Sequence, residues 1–348
     1  MLSLSKKYKE CIAAVFMCLG VLNSAHAQQT NGAAVSREMI RLTEPGQPML
    51  ALQAQRPQTG SSVLPITGDA IYVHGATFGA DLSVYYRFDG RSWADAMNDI
   101  GLAVWGFDFA GYGASERYPA DSKQPVGRMD DVIPQLHRVV AAVRARNGDR
   151  PIALVAHSWG AAVAARYAGM YPQDVKALVL FAPIVMRTPV ASPAVAGVAP
   201  PPSPSQYPLT LWAQYRRFIE DVPRGQPQVL SEAHFQDWGA AYLASDPSAG
   251  QRMPPSVMTP YGPIADFGAL WSGKALYDPS RIVAPTLLVR GEWDALCNAA
   301  DASRILQALG SQDKTGINID RATHLMHLEA QRTALYASVN TFLARTMK

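Results

Sequence analysis

Cysteine is scarce in this chain of 348 residues, which carries only Cys11, Cys18 and Cys297. The first two fall in an N-terminal stretch that reads as a leader, so a mature chain keeps Cys297 alone and can form no intramolecular disulfide. Stability must then come from a hydrophobic core, for which the length is ample. Cys297 itself reads as a small packing residue. A dominant charge is missing too: 31 Lys and Arg stand against 28 Asp and Glu, for a net charge of +3. No basic run is interleaved with aromatics, which removes nucleic acid as an expected partner. No Cys/His cluster has metal-ligand spacing, and His324 and His327, three apart, are better explained otherwise; neither metal nor cofactor is expected. The apolar run from Cys11 to Leu22 is too short to span a bilayer comfortably.

That run has the parts of an export signal. Lys6, Lys7 and Lys9 form a basic start, and Ala25-His26-Ala27 supplies a small-x-small cleavage site. Cleavage there leaves a chain beginning at Gln28, with no stable membrane anchor and a periplasmic or extracellular address. An uncleaved anchor is the rival reading. Cys18 is a poor lipidation site, because the bulky Phe16 and Met17 precede it.

Beyond the leader, strand-like and helix-like segments alternate, as in a mostly parallel sheet covered by helices. Glu38–Leu42 and Met49–Ala54, separated by Glu44-Pro45-Gly46, predict an antiparallel edge hairpin. Further strands are predicted at Ala70–Val73, Ala103–Phe107, Ile152–Val155, Ala177–Phe181, Thr286–Val289 and Ile317–Ile319. Val132, Ile133, Leu136, Val139, Val140 and Val143 fall at helical spacing between Asp130 and Arg146, with Pro134 near the start. A last helix covers about Arg332 to Leu343. The alternation breaks between Pro183 and Ser280. A proline-rich linker (Pro201, Pro202, Pro204) leads there into a helical stripe running from Leu211 through Phe218 to Val222. The expected organisation is a leader over 1–27, a core in two parts over 28–183 and 282–348, and an inserted helical segment over 184–281.

The chemistry concentrates at Val155-Ala156-His157-Ser158-Trp159-Gly160, between a buried strand and an Ala-rich helix. A serine at so sharp a strand-to-helix turn needs small residues two positions before and two after it, and the turn lifts its hydroxyl clear of the sheet. Ala156 stands where glycine is usual. Ala70-Ile71-Tyr72-Val73-His74-Gly75-Ala76 is a strand ending in His-Gly. Asp108-Phe109-Ala110-Gly111-Tyr112-Gly113-Ala114-Ser115 follows the next strand. Asp294 follows a strand closed by Gly291, and His324 follows the last strand. These ordered landmarks resemble the α/β-hydrolase superfamily, in its serine-nucleophile, esterase- and lipase-like branch with a cap domain. The resemblance covers essentially the whole mature chain. It implies an eight-stranded, mostly parallel α/β sheet with a helical cap inserted after the sixth strand.

The resemblance also implies roles. Ser158 is the nucleophile, His324 the base, and Asp294 the acid that orients it. The backbone N–H groups of Ala76 and Trp159 form the oxyanion hole. Asp294 has rivals in Glu292, Asp301 and Asp320, and His324 has one in His327. His74 reads as a brace for its turn, His157 as pointing elsewhere, and Arg321 with Glu329 as a pair fixing the histidine loop. A serine nucleophile excludes the relatives that use aspartate at this position. What remains is acyl chemistry, with a small-molecule ester bearing an apolar group as the expected substrate. A Ser-Trp-Gly elbow is shared with prolyl-aminopeptidase-like relatives, which keeps amide cleavage open, with Glu220, Asp221, Glu232 and Asp237 as candidates to hold an amine. Lactone cleavage and a catalytically silent binding protein are further alternatives.

Overall fold

Alternation of side chains along the strands decides how the sheet is covered. In the computed structural model, which describes residues 37–59, 62–63, 65–188 and 203–348, eight strands form one sheet. They are β1 (Arg37–Glu44), β2 (Gln47–Gln55), β3 (Gly68–Val73), β4 (Leu102–Phe107), β5 (Ile152–His157) and β6 (Ala177–Phe181), then β9 (Thr286–Gly291) and β10 (Lys314–Ile319). The spatial order is β1-β2-β4-β3-β5-β6-β9-β10. The β1–β2 hairpin and the β2–β4 pairing are antiparallel, and all other pairings are parallel. The predicted strands are all present, each within a few residues of its expected ends. The predicted leader and its predicted cleavage site lie outside the described residues.

Ile71, Val73, Leu154, Leu178 and Leu180 point to one face of the sheet. There they meet helices α2 (Met129–Asn147), α3 (Trp159–Met170) and α7 (Ala299–Ala308). Ala70, Tyr72, Val104, Val155 and Val179 point to the other face, under α1 (Trp93–Asn98) and α8 (Arg332–Thr346). A strand buried on both faces reads as a continuous apolar run, which is why the central strands stand out in the sequence. Pro134 is the sixth residue of α2 and lies on its exposed side, where the carbonyl left without its N–H faces water.

Among its described residues, the segment between β6 and β9 holds a two-stranded ribbon, β7 (Gln206–Thr210) with β8 (Ser256–Pro260), and three α-helices. These are α4 (Leu211–Ile219), α5 (Glu232–Ala244) and α6 (Gly262–Trp271). Helix α4 stops at Ile219, so Val222 lies past the helical stripe predicted to include it. Phe218, Phe235, Trp238 and Tyr242 of this segment pack with Phe78 and Leu82 from the loop after β3, and with Leu325 and Leu328 from the loop after β10. The Trp238 indole N–H also donates to the Leu82 carbonyl at 2.9 Å. The inserted residues therefore rest on loops that leave the carboxyl ends of the strands. Among the described residues no helix is long and apolar enough to cross a membrane.

Candidate active site

The turn from β5 into α3 holds Ser158 at φ 58° and ψ −123°, a conformation that a non-glycine residue adopts only at a cost of roughly 1–3 kcal/mol. Its N–H donates to the Phe181 carbonyl at 2.9 Å, which pins the turn to β6. The small residues around it have separate reasons. A Cβ on Gly160 would stand 2.1 Å from the His74 carbonyl oxygen, so no other residue fits. Ala156 is fully buried in the core with its methyl group accommodated, which explains why alanine serves where glycine is usual.

The strained turn aims Ser158 Oγ at His324 Nε2, 2.8 Å away. His324 Nδ1 faces both carboxylate oxygens of Asp294 at 3.0 Å each. Asp294 Oδ1 in turn accepts the N–H groups of Leu296 and Cys297 at 2.9 Å each. With the carboxylate as acceptor, the histidine carries its proton on Nδ1 and turns the Nε2 lone pair toward the serine hydroxyl. The three side chains come from the ends of β5, β9 and β10, and all are nearly closed to solvent.

The rival acids are placed elsewhere. Asp301 caps α7, bonding the Asn298 N–H, and its carboxylate pairs with Arg187 at 2.7 Å. Asp320 is exposed. Glu292 accepts the N–H of Arg321. The expected Arg321–Glu329 pair does not form. Glu329 is instead buried and accepts both the hydroxyl and the N–H of Thr323, so it fixes the residue next to His324 from inside. Burial is the main cause that raises its carboxyl to about 7.

His74 and His157 brace their surroundings through hydrogen bonds, and His327 does so by packing alone. His74 accepts the Phe109 N–H on Nε2 and donates from Nδ1 to its neighbour's carbonyl, and burial lowers it to about 4. His157 donates from Nε2 to the His324 carbonyl at 3.0 Å and stacks on Phe181. His327 is buried with neither ring nitrogen hydrogen-bonded, packed against Phe78 and His157. Burial holds it down to about 3.

The loop after β3 lies close against Ser158, where a Cβ on Gly75 would stand 3.2 Å from the serine Cβ. Ala76 lines the cavity there, its carbonyl fixed by the Tyr112 hydroxyl at 2.6 Å. Across from it, Trp159 is the first residue of α3, where a backbone N–H has no intrahelical acceptor. The Asp108 loop supports this wall from behind. One carboxylate oxygen accepts the Ala80 N–H and the other the Ala114 N–H, while Ser115 bonds back to the Asp108 carbonyl. Burial is the main cause that raises Asp108 to about 6.

Sequence reasoning missed Asp266. This buried carboxylate on α6 accepts the Trp159 indole N–H at 3.1 Å and the Met129 N–H at 2.8 Å, and pairs with Arg128. It joins the Ser158 turn, the start of α2 and the segment between β6 and β9. The signal was a lone carboxylate in the apolar run Gly262–Trp271.

A cavity of about 330 Å³ opens beside Ser158 and His324, walled by Phe78, Leu209, Ile264, Phe267 and Leu325. Among the described residues no cluster of side chains is arranged to hold a metal ion.

A family model described as the alpha/beta hydrolase fold matches residues 71–331. The chain is a member of the α/β-hydrolase fold family. Solved structures agree in fold. A thermophilic esterase from Thermogutta terrifontis is 16% identical with a TM-score of 0.54, covering 89% of this chain and 100% of its own. A putative lipase from Acinetobacter baumannii is 16% identical at a TM-score of 0.53, over 90% of this chain and 93% of its own. The thioesterase domain from the curacin biosynthetic pathway is 15% identical at a TM-score of 0.57, over 87% and 99%. Sequence comparison with curated proteins finds no significant match to this α/β hydrolase.

Proposed function

We propose that this hydrolase is an exported serine esterase that cleaves carboxylic esters through an acyl-enzyme, with Ser158 as nucleophile, His324 as general base and acid, and Asp294 as the orienting acid. The observation that carries this reading is the unbroken hydrogen-bond chain Ser158–His324–Asp294 at 2.8 and 3.0 Å, opening on an apolar cavity.

In this reading Ser158 Oγ attacks the ester carbonyl carbon while its proton passes to His324 Nε2. The carbonyl oxygen becomes an oxyanion between the N–H groups of Ala76 and Trp159, each donor contributing ~3–4 kcal/mol at the transition state. The imidazolium then returns the proton to the departing alkoxide, which leaves as the alcohol. Water enters, gives its proton to His324, and releases the carboxylic acid as Ser158 recovers its proton. Asp294 stays ionised throughout and offsets the charge on the imidazolium. The segment between β6 and β9 acts as a cap, since α4 and α6 supply walls of the cavity. The leader through Ala27 directs export.

Ester cleavage is favoured over release of an N-terminal residue because three of the candidate acids for an amine already hold a partner and the fourth lies at the surface. Glu220 and Asp221 pair with Arg217, Glu232 accepts the Tyr215 hydroxyl, and Asp237 is exposed. The test is a panel of chromogenic esters of rising acyl length run beside amino-acid anilides on purified protein. Faster turnover of esters, untouched by chelator, is expected. Anilides outrunning matched esters would overturn the assignment.

A further inference from the structure

One buried polar group in the wall of the apolar cavity has more donors than partners. Gln214, on α4, lines the cavity at 1% exposure, and its Nε2 has no hydrogen-bond partner. The Tyr242 hydroxyl beside it donates to the Leu209 carbonyl at 3.3 Å and has lone pairs left for one of the amide hydrogens, not for both. An amide nitrogen has two hydrogens to place, so one neighbour cannot satisfy it. Native interiors pair nearly all such donors. Leucine or methionine would fill the same volume without the penalty of a dry, unpaired amide. A donor with no protein acceptor for its second hydrogen at the wall of a substrate cavity is explained by an acceptor that arrives with the substrate.

The charges around Gln214 define that acceptor. Arg217 pairs with Asp221 at 2.7 Å and also with Glu220, and Arg216 lies 3.9 Å from Glu220. Two guanidinium groups against two carboxylates leave no net charge on this side of the cavity. A carboxylate on the substrate would find the nearest cation already engaged, and an amine would find the nearest anions engaged. We propose that Gln214 is a specificity-determining residue that binds a neutral oxygen acceptor, a keto, ester or ether oxygen, in the non-reacting part of the substrate. The apolar wall of Phe78, Leu209, Ile264 and Phe267 holds the hydrocarbon around it. The terminal torsion of the amide is soft, so a small turn presents an N–H to the bound oxygen without moving α4. This inference rests on the ester-hydrolase reading and assigns a substrate class to the same site.

The experiment compares 4-nitrophenyl esters of straight-chain acids with esters of equal length in which one remote methylene is replaced by a keto group, walked along the chain. A second series walks the keto group along the alcohol. At one position the keto ester should exceed its hydrocarbon partner about tenfold in kcat/KM, the effect of one added hydrogen bond, with most of it in KM. Gln214→Leu should bring that ratio to about one. A purely structural glutamine would move both esters alike and leave the ratio unchanged, which would overturn the proposal. A flat series in the wild type would overturn it as well, and that reading needs no variant should Gln214→Leu fail to fold. Hydrolysis by a labelled Ser158 with a flat series sinks this inference alone. No hydrolysis of any ester, with Ser158 unreactive to a fluorophosphonate, sinks the esterase reading and this one together.

Discussion

At the scale of single residues, the site depends on geometry that few alternatives satisfy. Gly160 is the sharpest case, because any Cβ there meets the His74 carbonyl at 2.1 Å. Gly160→Ala should destabilise the protein by about 2 kcal/mol or more in urea unfolding, since backbone on both sides must move. A loss within a few tenths would mean the turn is looser than described. Asp294 orients His324 through both carboxylate oxygens, whereas Asp301 is committed to Arg187 and to capping α7. Asp294→Asn should therefore lower kcat on an ester by about 10⁴, the loss typical when the imidazole tautomer is wrong. Asp301→Asn should cost stability with a far smaller kinetic effect. The reverse ranking would reassign the acid.

Among the elements, α3 and the inserted α6 are locked together through one bond. The Trp159 indole donates to Asp266, which also receives Met129 and Arg128. Trp159→Phe keeps the ring but removes the donor, so stability should fall by about 1–3 kcal/mol, as expected for a hydrogen bond to a buried charged group. Unchanged stability would show that Asp266 is satisfied without the indole. Such ties across the chain were hard to read in advance. The central strands announced themselves as apolar runs between turn residues, and the Ser158 turn by its small residues. Strands β7 and β8 did not: Gln206–Thr210 contains Pro208 and is only half-buried, and Ser256–Pro260, its partner, is buried along most of its length, so neither shows an alternating pattern. Ser158, Asp294 and His324 were legible because each follows a strand end, where parallel sheets place their sites. Gln214, Asp266 and Glu329 were not, because their roles arise from contacts between segments far apart in sequence.

For the whole molecule, the buried histidines set a pH dependence of stability. His74 and His327 titrate in the fold at about 4 and about 3, and near ~6.5 when unfolded. The unfolded chain therefore binds more protons between those values, and the stability these residues contribute above pH 6.5 is lost as pH falls toward 4 and 3. Asp108 and Glu329, raised to about 6 and about 7, act oppositely: their contribution is present at low pH and lost as pH rises through those values. His327→Leu should accordingly narrow the difference in melting temperature between pH 7.5 and pH 5. An unaltered difference would remove His327 from the account.

The central claim is that Ser158, activated by His324, is the nucleophile of an esterase. Its most direct test is intact and peptide mass analysis after a fluorophosphonate probe, run on the wild type and on Ser158→Ala with ester turnover measured alongside. One adduct is expected, located on Ser158, lost together with turnover in the alanine variant while the fold is retained. An adduct on another serine, or full turnover by Ser158→Ala, would contradict it.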